Sequence, residues 1–440
     1  MTCSELTDFV RGDATHLAIP GHPEALRRAG AAFLTRAFQA FGALAIDNRV
    51  TQVTQFDDCP GGSTGQKVFL SVEYARLDPG LHEDLFVKFS RDFTDRIRDD
   101  RGKHEMAGEI QLARLASHPD FPVCVPRPYF ADIEGASHTG LVITERVPFG
   151  EQGFEVHHRK CHDFEIAEPL HHYRAIFTAL GRLAGTHRAG HLAGDIETVF
   201  PFDPRAAAAS IPIGFSAPEL RERIRRFAEV VAQAPRLYPE NLRDQSLFVR
   251  LEQEVGRFLD HEQAVNGFLQ SDPDFIALCH WNANIDNAFF WRDKAGTLQC
   301  GLMDWGRADQ QNVAFALWGC LSGADLNVWN HHLDDLLNLF IAEYHAHGGP
   351  LIEIEDLRLH LDLYATIMGL SYFLDSPDRM IFRLPEALEA SGPLDPLFDR
   401  NQTARNQLHI STVVLNLWRR HSPGDCIDRL PKRLGGGHRP

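Results

Sequence analysis

The order of strand-like and helix-like segments between residues 50 and 146 most constrains how this chain of 440 residues can fold. In residues 67–74, Val68, Leu70 and Val72 alternate with a set of positions that includes the polar residues Lys67, Ser71 and Glu73, which is the period of a strand with one buried face. The segments predicted in chain order are strands at 50–56, 67–74 and 84–89, a helix at 104–117, and strands near 127–133 and 141–146. Five strands with one helix among them indicate a mixed α and β fold.

The remainder of the chain is predicted to be largely helical, apart from one hairpin. Helices are expected at 22–45, at 173–187, within 217–270 and over most of 312–420, and the hairpin strands at 288–291 and 298–303. The predicted domains are a helical extension at 1–49, a sheet-containing lobe at 50–147, a helical lobe with the hairpin at 148–430, and a disordered tail at 431–440.

Charge and composition exclude several classes of partner. The chain carries 44 basic and 60 acidic residues, a net charge of −16, which argues against nucleic acid or an anionic membrane as the main partner. No run of about 18 apolar residues occurs, and the start of the chain lacks the basic and apolar regions of a secretory leader. The cytoplasm is therefore the expected location. Eight cysteines without a C-x-x-C pair predict neither a zinc ribbon nor a disulfide framework.

Two polar motifs flank the hairpin and carry the residue types of a metal site. The first, Cys279–Asn287, reads C-H-W-N-A-N-I-D-N, and the second, Gly301–Gly306, reads G-L-M-D-W-G. Asn287 precedes the first strand and Asp304 follows the second, so an antiparallel hairpin would bring both side chains to one end. A carboxylate and an amide oxygen are hard ligands that suit Mg²⁺. An ordinary hairpin with polar ends is the alternative.

These motifs resemble the paired signatures of kinase-fold small-molecule phosphotransferases, the aminoglycoside and choline kinase-like group, which includes ecdysteroid kinase-like proteins. In that group, H-x-D-x-x-x-x-N precedes a hydrophobic strand that ends in Asp before an aromatic residue. His280 and Asn287 hold the outer positions of the first motif here, and Asp304 holds the second. Asn282 replaces the catalytic Asp, and Asn312 stands where the group commonly carries an Asp.

The resemblance implies an α+β, bilobal protein kinase-like fold, with a mainly antiparallel N-lobe sheet and a larger helical C-lobe. It also implies Mg²⁺ with ATP or GTP as cofactors and transfer of the γ-phosphate to a small molecule. The variable loops of such a C-lobe do not identify that molecule, and the oligomeric state is not readable from the sequence.

A glycine-rich segment, Pro60–Gly65, lies between the first two predicted strands, where the resembled families place a loop over the nucleotide. Glycine lets backbone N–H groups approach phosphates without a Cβ in the way. The residues expected to bind the nucleotide here are Gly61, Gly62, Ser63, Thr64 and Gly65. The same letters satisfy G-x-S-x-G, the nucleophile elbow of a hydrolase, but that motif requires a helix after the turn. A strand is predicted after this turn, which argues against a hydrolase.

The third predicted strand carries Lys88, which the resemblance assigns to the α- and β-phosphates of the nucleotide. Its expected partner is an acidic residue on the next helix. Glu109 is the better candidate, and Glu105, one turn earlier, is its rival. Glu145 and Val147, which lie at the end of the last strand of this lobe, are also expected among the nucleotide-binding residues.

Asn282 brings the reaction itself into question, because an amide cannot hold a proton at neutral pH. General acid–base catalysis contributes about 10²–10⁴-fold in rate. A slow kinase, a kinase for an already ionised acceptor and a nucleotide-binding pseudokinase are all compatible, and the other motif residues favour an enzyme. Asp286 is an alternative base, although the resembled families often carry an Asp beside the Asn, which favours a structural role. His280 is expected to hold the loop by hydrogen bonds to backbone.

Overall fold

The structure of the protein, a computed structural model, describes residues 7–430, so the tail predicted at 431–440 and the first six residues lie outside the described residues. The strands are β1 (Phe9–Arg11), β2 (Ala18–Pro20), β3 (Val50–Asp58), β4 (Lys67–Tyr74), β5 (Asp84–Phe89), β6 (Pro128–Glu134), β7 (Thr139–Glu145), β8 (Ile276–His280), β9 (Ala288–Arg292), β10 (Leu298–Leu302) and β11 (Ala308–Asn312). The helices are α1 (Pro23–Phe41), α2 (Arg96–Leu115), α3 (Pro169–Arg188), α4 (Ile196–Val199), α5 (Pro204–Ala209), α6 (Ala217–Gln233), α7 (Gln245–Asp260), α8 (Glu262–Ser271), α9 (Val313–Leu321), α10 (Leu333–Ala346), α11 (Ile354–Met368), α12 (Ser376–Arg383), α13 (Gln402–Arg420) and α14 (Pro423–Arg429).

The predicted α+β fold is confirmed, with the five predicted strands in one antiparallel sheet. The strand order is β3-β4-β5-β7-β6, and every pairing in it is antiparallel. Helix α2 begins at Arg96, eight residues before the predicted start at 104, because the Asp95 side chain accepts hydrogen bonds from the N–H groups of Ile97 and Arg98. The first turns of α2 are rich in charge, so apolar periodicity could not reveal them.

Helix α1 packs against this sheet and shares its hydrophobic core. Phe33 and Phe38 from α1 are buried together with Val68 and Leu85 from two central strands. Burial of large aromatic side chains is the main stabilising contribution at such a contact. The helical extension predicted at 1–49 therefore contributes to the core of the sheet.

The described chain forms two compact units. The first unit comprises the chain up to Val156 with 191–200 and 287–309, and the second comprises 157–190, 201–286 and the chain from Gln310 onward. Hairpin β9–β10 belongs to the first unit, whereas the sequence placed it in the lobe that starts at 148. The backbone explains this grouping, because the Glu155 N–H donates to Phe290 O at 2.8 Å and the Leu302 N–H donates to Cys124 O at 2.9 Å.

The second unit is mainly helical, as predicted. Helices α3 and α10 approach closely because Gly185 has no side chain, and a Cβ there would lie 2.4 Å from Tyr344 O. Strand β8 pairs with β11, and neither was predicted. All five residues of β8 are buried, so its sequence shows no alternation. No helix among residues 7–430 combines the length and the apolar character needed to cross a membrane.

Candidate functional site

Three charged residues that are distant in sequence meet in the first unit. Lys88 lies on β5, Glu109 on α2 and Asp304 just after β10. The Lys88 Nζ is 2.6 Å from Glu109 Oε2 and 2.5 Å from Asp304 Oδ1, and the Lys88 side chain is 4% exposed. The ion pair between Lys88 and Glu109 that the sequence predicts is therefore present. The rival Glu105 pairs with Arg307 instead, at 3.0 Å.

Close packing of α2 against the segment after β10 positions Glu109 in this cluster. A Cβ on Gly108 would lie 2.8 Å from Ala308 O, so the absence of a side chain allows the helix to approach. A Cβ on Gly306 would lie 3.9 Å from Glu109 Oε2, which places the carboxylate beside the chain that follows Asp304. The glycines of both segments thus bring the two acidic residues to one lysine.

The electrostatics of the cluster keep Lys88 charged. Burial alone would lower the pKa of Lys88, but the carboxylates of Asp304 and Glu109 outweigh burial, and the pKa is raised above its usual range. Burial raises the pKa of Glu109, while Lys88 opposes that rise. One ammonium faces two carboxylates here, and the Asp304 side chain is 51% exposed.

The ends of the hairpin bring the two predicted metal ligands to one place. The Met303 N–H donates to Asn287 O at 2.9 Å, so the residue before Asp304 lies beside Asn287. Asp304 has a φ of 60°, in the left-handed region that Asp and Asn tolerate better than most residues. Asn287 is largely buried. A half-exposed carboxylate beside an amide residue fits a hard divalent cation.

The glycine-rich loop lies where it was predicted, between β3 and β4, and a strand follows it, which excludes the hydrolase alternative. Gly61 and Gly62 have φ values of 97° and 77°, which are accessible mainly to glycine. Ser63 is exposed and Thr64 is buried.

Gly65 has a different role from the other glycines of the loop. Its N–H donates to Arg98 O at 3.1 Å, and a Cβ there would lie 1.8 Å from Phe89 O. Gly65 therefore anchors the loop to the first turn of α2, and its N–H is engaged by that contact rather than directed at a phosphate.

Glu145 and Val147 lie at the end of β7, and their contacts leave their predicted role in nucleotide binding untested. Glu145 Oε2 is 2.7 Å from His82 Nε2, and its backbone N–H donates to Arg127 O at 2.8 Å. Val147 is buried, and its carbonyl accepts from the Phe149 N–H at 3.0 Å. Their assignment stays a prediction.

The two predicted catalytic residues lie in the second unit, where His280 ends β8 and Asn282 follows it. The Asn282 N–H donates to His280 Nδ1 at 3.2 Å, so His280 holds the backbone of the loop as expected. Asn282 Oδ1 accepts from Asn284 Nδ2 at 2.5 Å, and Asn284 Oδ1 accepts from Ser322 Oγ at 3.2 Å. The amide of Asn282 therefore belongs to a side-chain network that the sequence did not reveal.

Helix α9 packs against this loop. A Cβ on Gly319 would lie 1.7 Å from Trp281 O, so the helix backbone approaches the loop closely. The Trp281 indole N–H donates to the Tyr364 hydroxyl at 2.7 Å. Both contacts fix the position of residues 281–282.

Two residues beside the predicted ones were missed from the sequence. Lys67 on β4 lies directly opposite Lys88 on β5, which only the strand register reveals. Asn284 lies within the first motif, but its hydrogen bond to Asn282 depends on side-chain orientation and could not be predicted from the sequence.

Comparisons with known proteins give structural neighbours only. No family model and no curated protein sequence matches the chain. Among solved structures it is similar to the GDP complex of wild-type aminoglycoside 2'-phosphotransferase-IIIa, with a TM-score of 0.40 and 14% identity over 83% of this chain and 94% of that chain. It is also similar to an ethanolamine kinase from Plasmodium vivax, with a TM-score of 0.40 and 12% identity over 81% of each chain.

A third solved structure is a spectinomycin phosphotransferase in complex with ADP and spectinomycin, with a TM-score of 0.37 and 12% identity over 87% of this chain and 94% of that chain. At these TM-scores and identities the likeness carries no argument about this chain, and residue roles come from the contacts within it.

Proposed function

We propose that the protein is an ATP- or GTP-dependent phosphotransferase for a small molecule, that its first unit holds the nucleotide, and that it acts in the cytoplasm. The observation that supports this most directly is the cluster of Lys88, Glu109 and Asp304, drawn from a strand, a helix and the end of a hairpin. A half-exposed carboxylate beside a buried lysine is the arrangement that a metal–phosphate complex would complete.

The residues present fit both parts of that complex. Asp304 and Asn287 would hold the metal, because carboxylate and amide oxygens are ligands that magnesium accepts. Lys88 would bind phosphate oxygens, and Glu109 keeps its ammonium charged and in place. Gly61 and Gly62 give the loop a backbone conformation that leaves its N–H groups unobstructed by side chains. Magnesium, when bound, would neutralise the charge of the transferring phosphoryl group.

The role proposed for Asn282 is to orient the acceptor rather than to deprotonate it. During transfer, the acceptor oxygen bonds to the γ-phosphorus while the bond from that phosphorus to the bridging oxygen breaks. A neutral alcohol must also lose a proton, and an amide cannot take it. An acceptor that is already ionised, such as a carboxylate or a phosphate, needs no base, so Asn282 is compatible with it.

A second candidate function is that of a nucleotide-binding pseudokinase, and Asn282 favours it because an amide cannot act as the base. Lys88, Glu109, Asn287 and Asp304 could hold a nucleotide without turnover, since none of them replaces the missing base. The two functions differ in whether any acceptor is phosphorylated, and they share nucleotide binding.

The test of nucleotide binding is the thermal unfolding midpoint with Mg-ATP, with Mg-GTP and without ligand. A ligand that binds only the folded state stabilises it by about 2.7 kcal/mol at 100 times its Kd. We expect at least one nucleotide to raise the midpoint, and we expect Asp304→Asn or removal of magnesium with a chelator to abolish the rise. Asn is preferable to Ala at this position because it tolerates the left-handed φ.

Asp100→Asn is the matched control, since Asp100 is an exposed acidic residue on α2 in the same unit. It should leave the midpoint shift unchanged. If neither nucleotide shifts the midpoint of the unaltered protein, the proposal is wrong. If the shift survives in Asp304→Asn, nucleotide binding stands but Asp304 is not the metal ligand.

A further inference from the structure

Lys67 and Lys88 project from the same face of the sheet of the first unit. They are directly paired across the antiparallel strands β4 and β5. Directly opposed residues in such a pair have Cβ atoms about 4.5–5.5 Å apart and share one face. Like charges at directly opposed positions destabilise a sheet unless something compensates them. This pairing therefore calls for a source of negative charge.

The nearby carboxylates already form ion pairs with Lys88. Glu109 and Asp304 both form ion pairs with the Lys88 ammonium. Among residues 7–430, Lys67 forms no ion pair, and its ammonium has a single long hydrogen bond, 3.5 Å from Nζ to Gly61 O. Burial lowers the pKa of Lys67 and the neighbouring Lys88 lowers it further, while Asp304 and Glu109 oppose that effect. The two ammonium groups thus repel each other, and Lys67 has no acidic residue of its own.

The glycine-rich loop leaves room for the end of this side chain. A Cβ on Gly62 would lie 1.7 Å from Lys67 Nζ, so the ammonium occupies the space that any other residue at position 62 would fill. Gly62 also has a φ of 77°, which independently favours glycine. The Lys67 ammonium therefore lies directly beneath the loop that the proposed function assigns to the phosphates.

The charge of Lys67 makes the cluster less repulsive to an anionic ligand. If both carboxylates are ionised, the formal charges of Lys88, Glu109 and Asp304 leave one negative charge, which would repel a polyphosphate. Adding Lys67 brings the group to neutrality before any metal binds. A cation with no acidic partner, close to a backbone loop, is the kind of group that a phosphate oxygen can engage at once.

We propose that Lys67 is a second phosphate-binding lysine, which contacts the polyphosphate of the nucleotide beneath the glycine-rich loop. This inference rests on the proposed function and adds a residue to it that none of the motifs contains. Lys88 shares its charge between the phosphates and two carboxylates, whereas Lys67 brings to the phosphate chain a charge without an acidic partner. An ordinary solvated strand lysine would neither sit in a gap left by a glycine nor face a second lysine.

The test compares ligands that differ in the number of phosphates. Binding of Mg-ATP, Mg-ADP, adenosine and tripolyphosphate is measured by calorimetry for the unaltered protein and for Lys67→Met, which keeps the length of the side chain and removes its charge. We expect Lys67→Met to weaken Mg-ATP and tripolyphosphate by about 10- to 100-fold, since a hydrogen bond to a charged group contributes about 1.5–3 kcal/mol. Adenosine binding should be unchanged.

Two further variants separate the contact from a general effect. Lys67→Arg retains the charge and should recover most of the affinity for Mg-ATP. Lys294→Met removes an exposed lysine from the turn of hairpin β9–β10 in the same unit, and it should change no affinity.

The outcomes distinguish this inference from the function on which it rests. If the unaltered protein binds Mg-ATP and Lys67→Met binds it equally well, the inference is wrong and the proposed function stands. Equal losses for adenosine and Mg-ATP would also overturn it, because they would indicate a structural role. If the unaltered protein binds no nucleotide, the proposed function fails and this inference fails with it.

Discussion

Lys88 and Asp304 lie 216 positions apart in the sequence, and their side chains form an ion pair with 2.5 Å between Nζ and Oδ1. The same ammonium also binds Glu109 at 2.6 Å. A strand, a helix and the end of a hairpin are therefore held together by one largely buried positive charge. Removing that charge would leave two carboxylates facing each other.

Lys88→Met should lower the free energy of unfolding by about 3–5 kcal/mol, the usual loss when one partner of a buried pair is removed. The reason is that Glu109, whose side chain is only 12% exposed, would face Asp304 without the Lys88 ammonium. Urea unfolding at neutral pH measures the effect. Adding Glu109→Gln to Lys88→Met should recover part of the loss, because the double variant removes one of the repelling charges.

Lys294→Met serves as the control for that experiment, because Lys294 is an exposed turn residue whose loss should matter by less than about 0.5 kcal/mol. A stability for Lys88→Met equal to that of the control would mean that the ion pairs of Lys88 contribute nothing measurable. A double variant less stable than the single one would contradict the repulsion argument.

Part of the first unit could be predicted from the sequence because β4 has one buried face, so that residues with buried and less buried side chains alternate along it. Strand order then placed Lys88 opposite the helix that carries Glu109. Strand β8 could not be predicted, since all its residues are buried and carry no periodic signal. The position of Lys67 depends on the register of β4 against β5, which the chain sets through a turn and which the local pattern does not encode.

The departure from the resembled families at Asn312 also has a physical reason that only side-chain contacts reveal. Asn312 is fully buried, and its Nδ2 donates to Leu269 O at 2.6 Å and to His360 Nδ1 at 2.7 Å. Its Oδ1 accepts from the Ala314 N–H at 2.9 Å, which caps helix α9. An Asp could cap the helix but could not donate to the other two groups.

Asn312→Asp should therefore destabilise the protein by about 3–5 kcal/mol at neutral pH, because it buries a charge against two acceptors. Asn312→Ser keeps an oxygen for the cap and adds no charge, so its loss should be smaller. Burial lowers the pKa of His360 to about 3, so its ring is neutral beside the native Asn312. Urea unfolding of both variants measures the difference, and equal losses would contradict this explanation.

Asp163 in the second unit predicts a dependence of stability on pH. Its carboxylate is buried and accepts from the Tyr173 hydroxyl at 2.9 Å and from the Asp325 N–H at 2.8 Å. Burial raises the pKa of Asp163 from 3.8 to about 6, and these hydrogen bonds only partly offset the rise. The folded state therefore binds more protons than the unfolded state between these two pKa values.

The free energy of unfolding falls with rising pH wherever the folded state binds more protons than the unfolded state. The contribution of Asp163 is fully present below pH 3.8 and is lost as the pH rises through about 6, a change of about 3 kcal/mol. The unfolding free energy of Asp163→Asn should lack this component. The difference between the two proteins, measured from pH 4 to 7, should shift by most of that amount, whereas Asp335→Asn, at an exposed position on α10, should show no such shift.

Asn282 gives the prediction that decides between the proposed reactions. Its Oδ1 accepts from Asn284, and an Asp at this position could accept the same hydrogen bond while adding a negative charge and a base. If the acceptor is a neutral alcohol, Asn282→Asp should speed transfer, within the roughly 10²–10⁴-fold range that base catalysis supplies. If the acceptor is already an anion, the added charge would repel it and transfer should slow.

The measurement is the rate of phosphate transfer by both proteins to a broad panel of small-molecule alcohols, carboxylates and phosphates. Asn282→Ala is the control, because it lacks both the amide and the charge. Turnover by neither protein with any acceptor, while both bind nucleotide, would establish the pseudokinase instead.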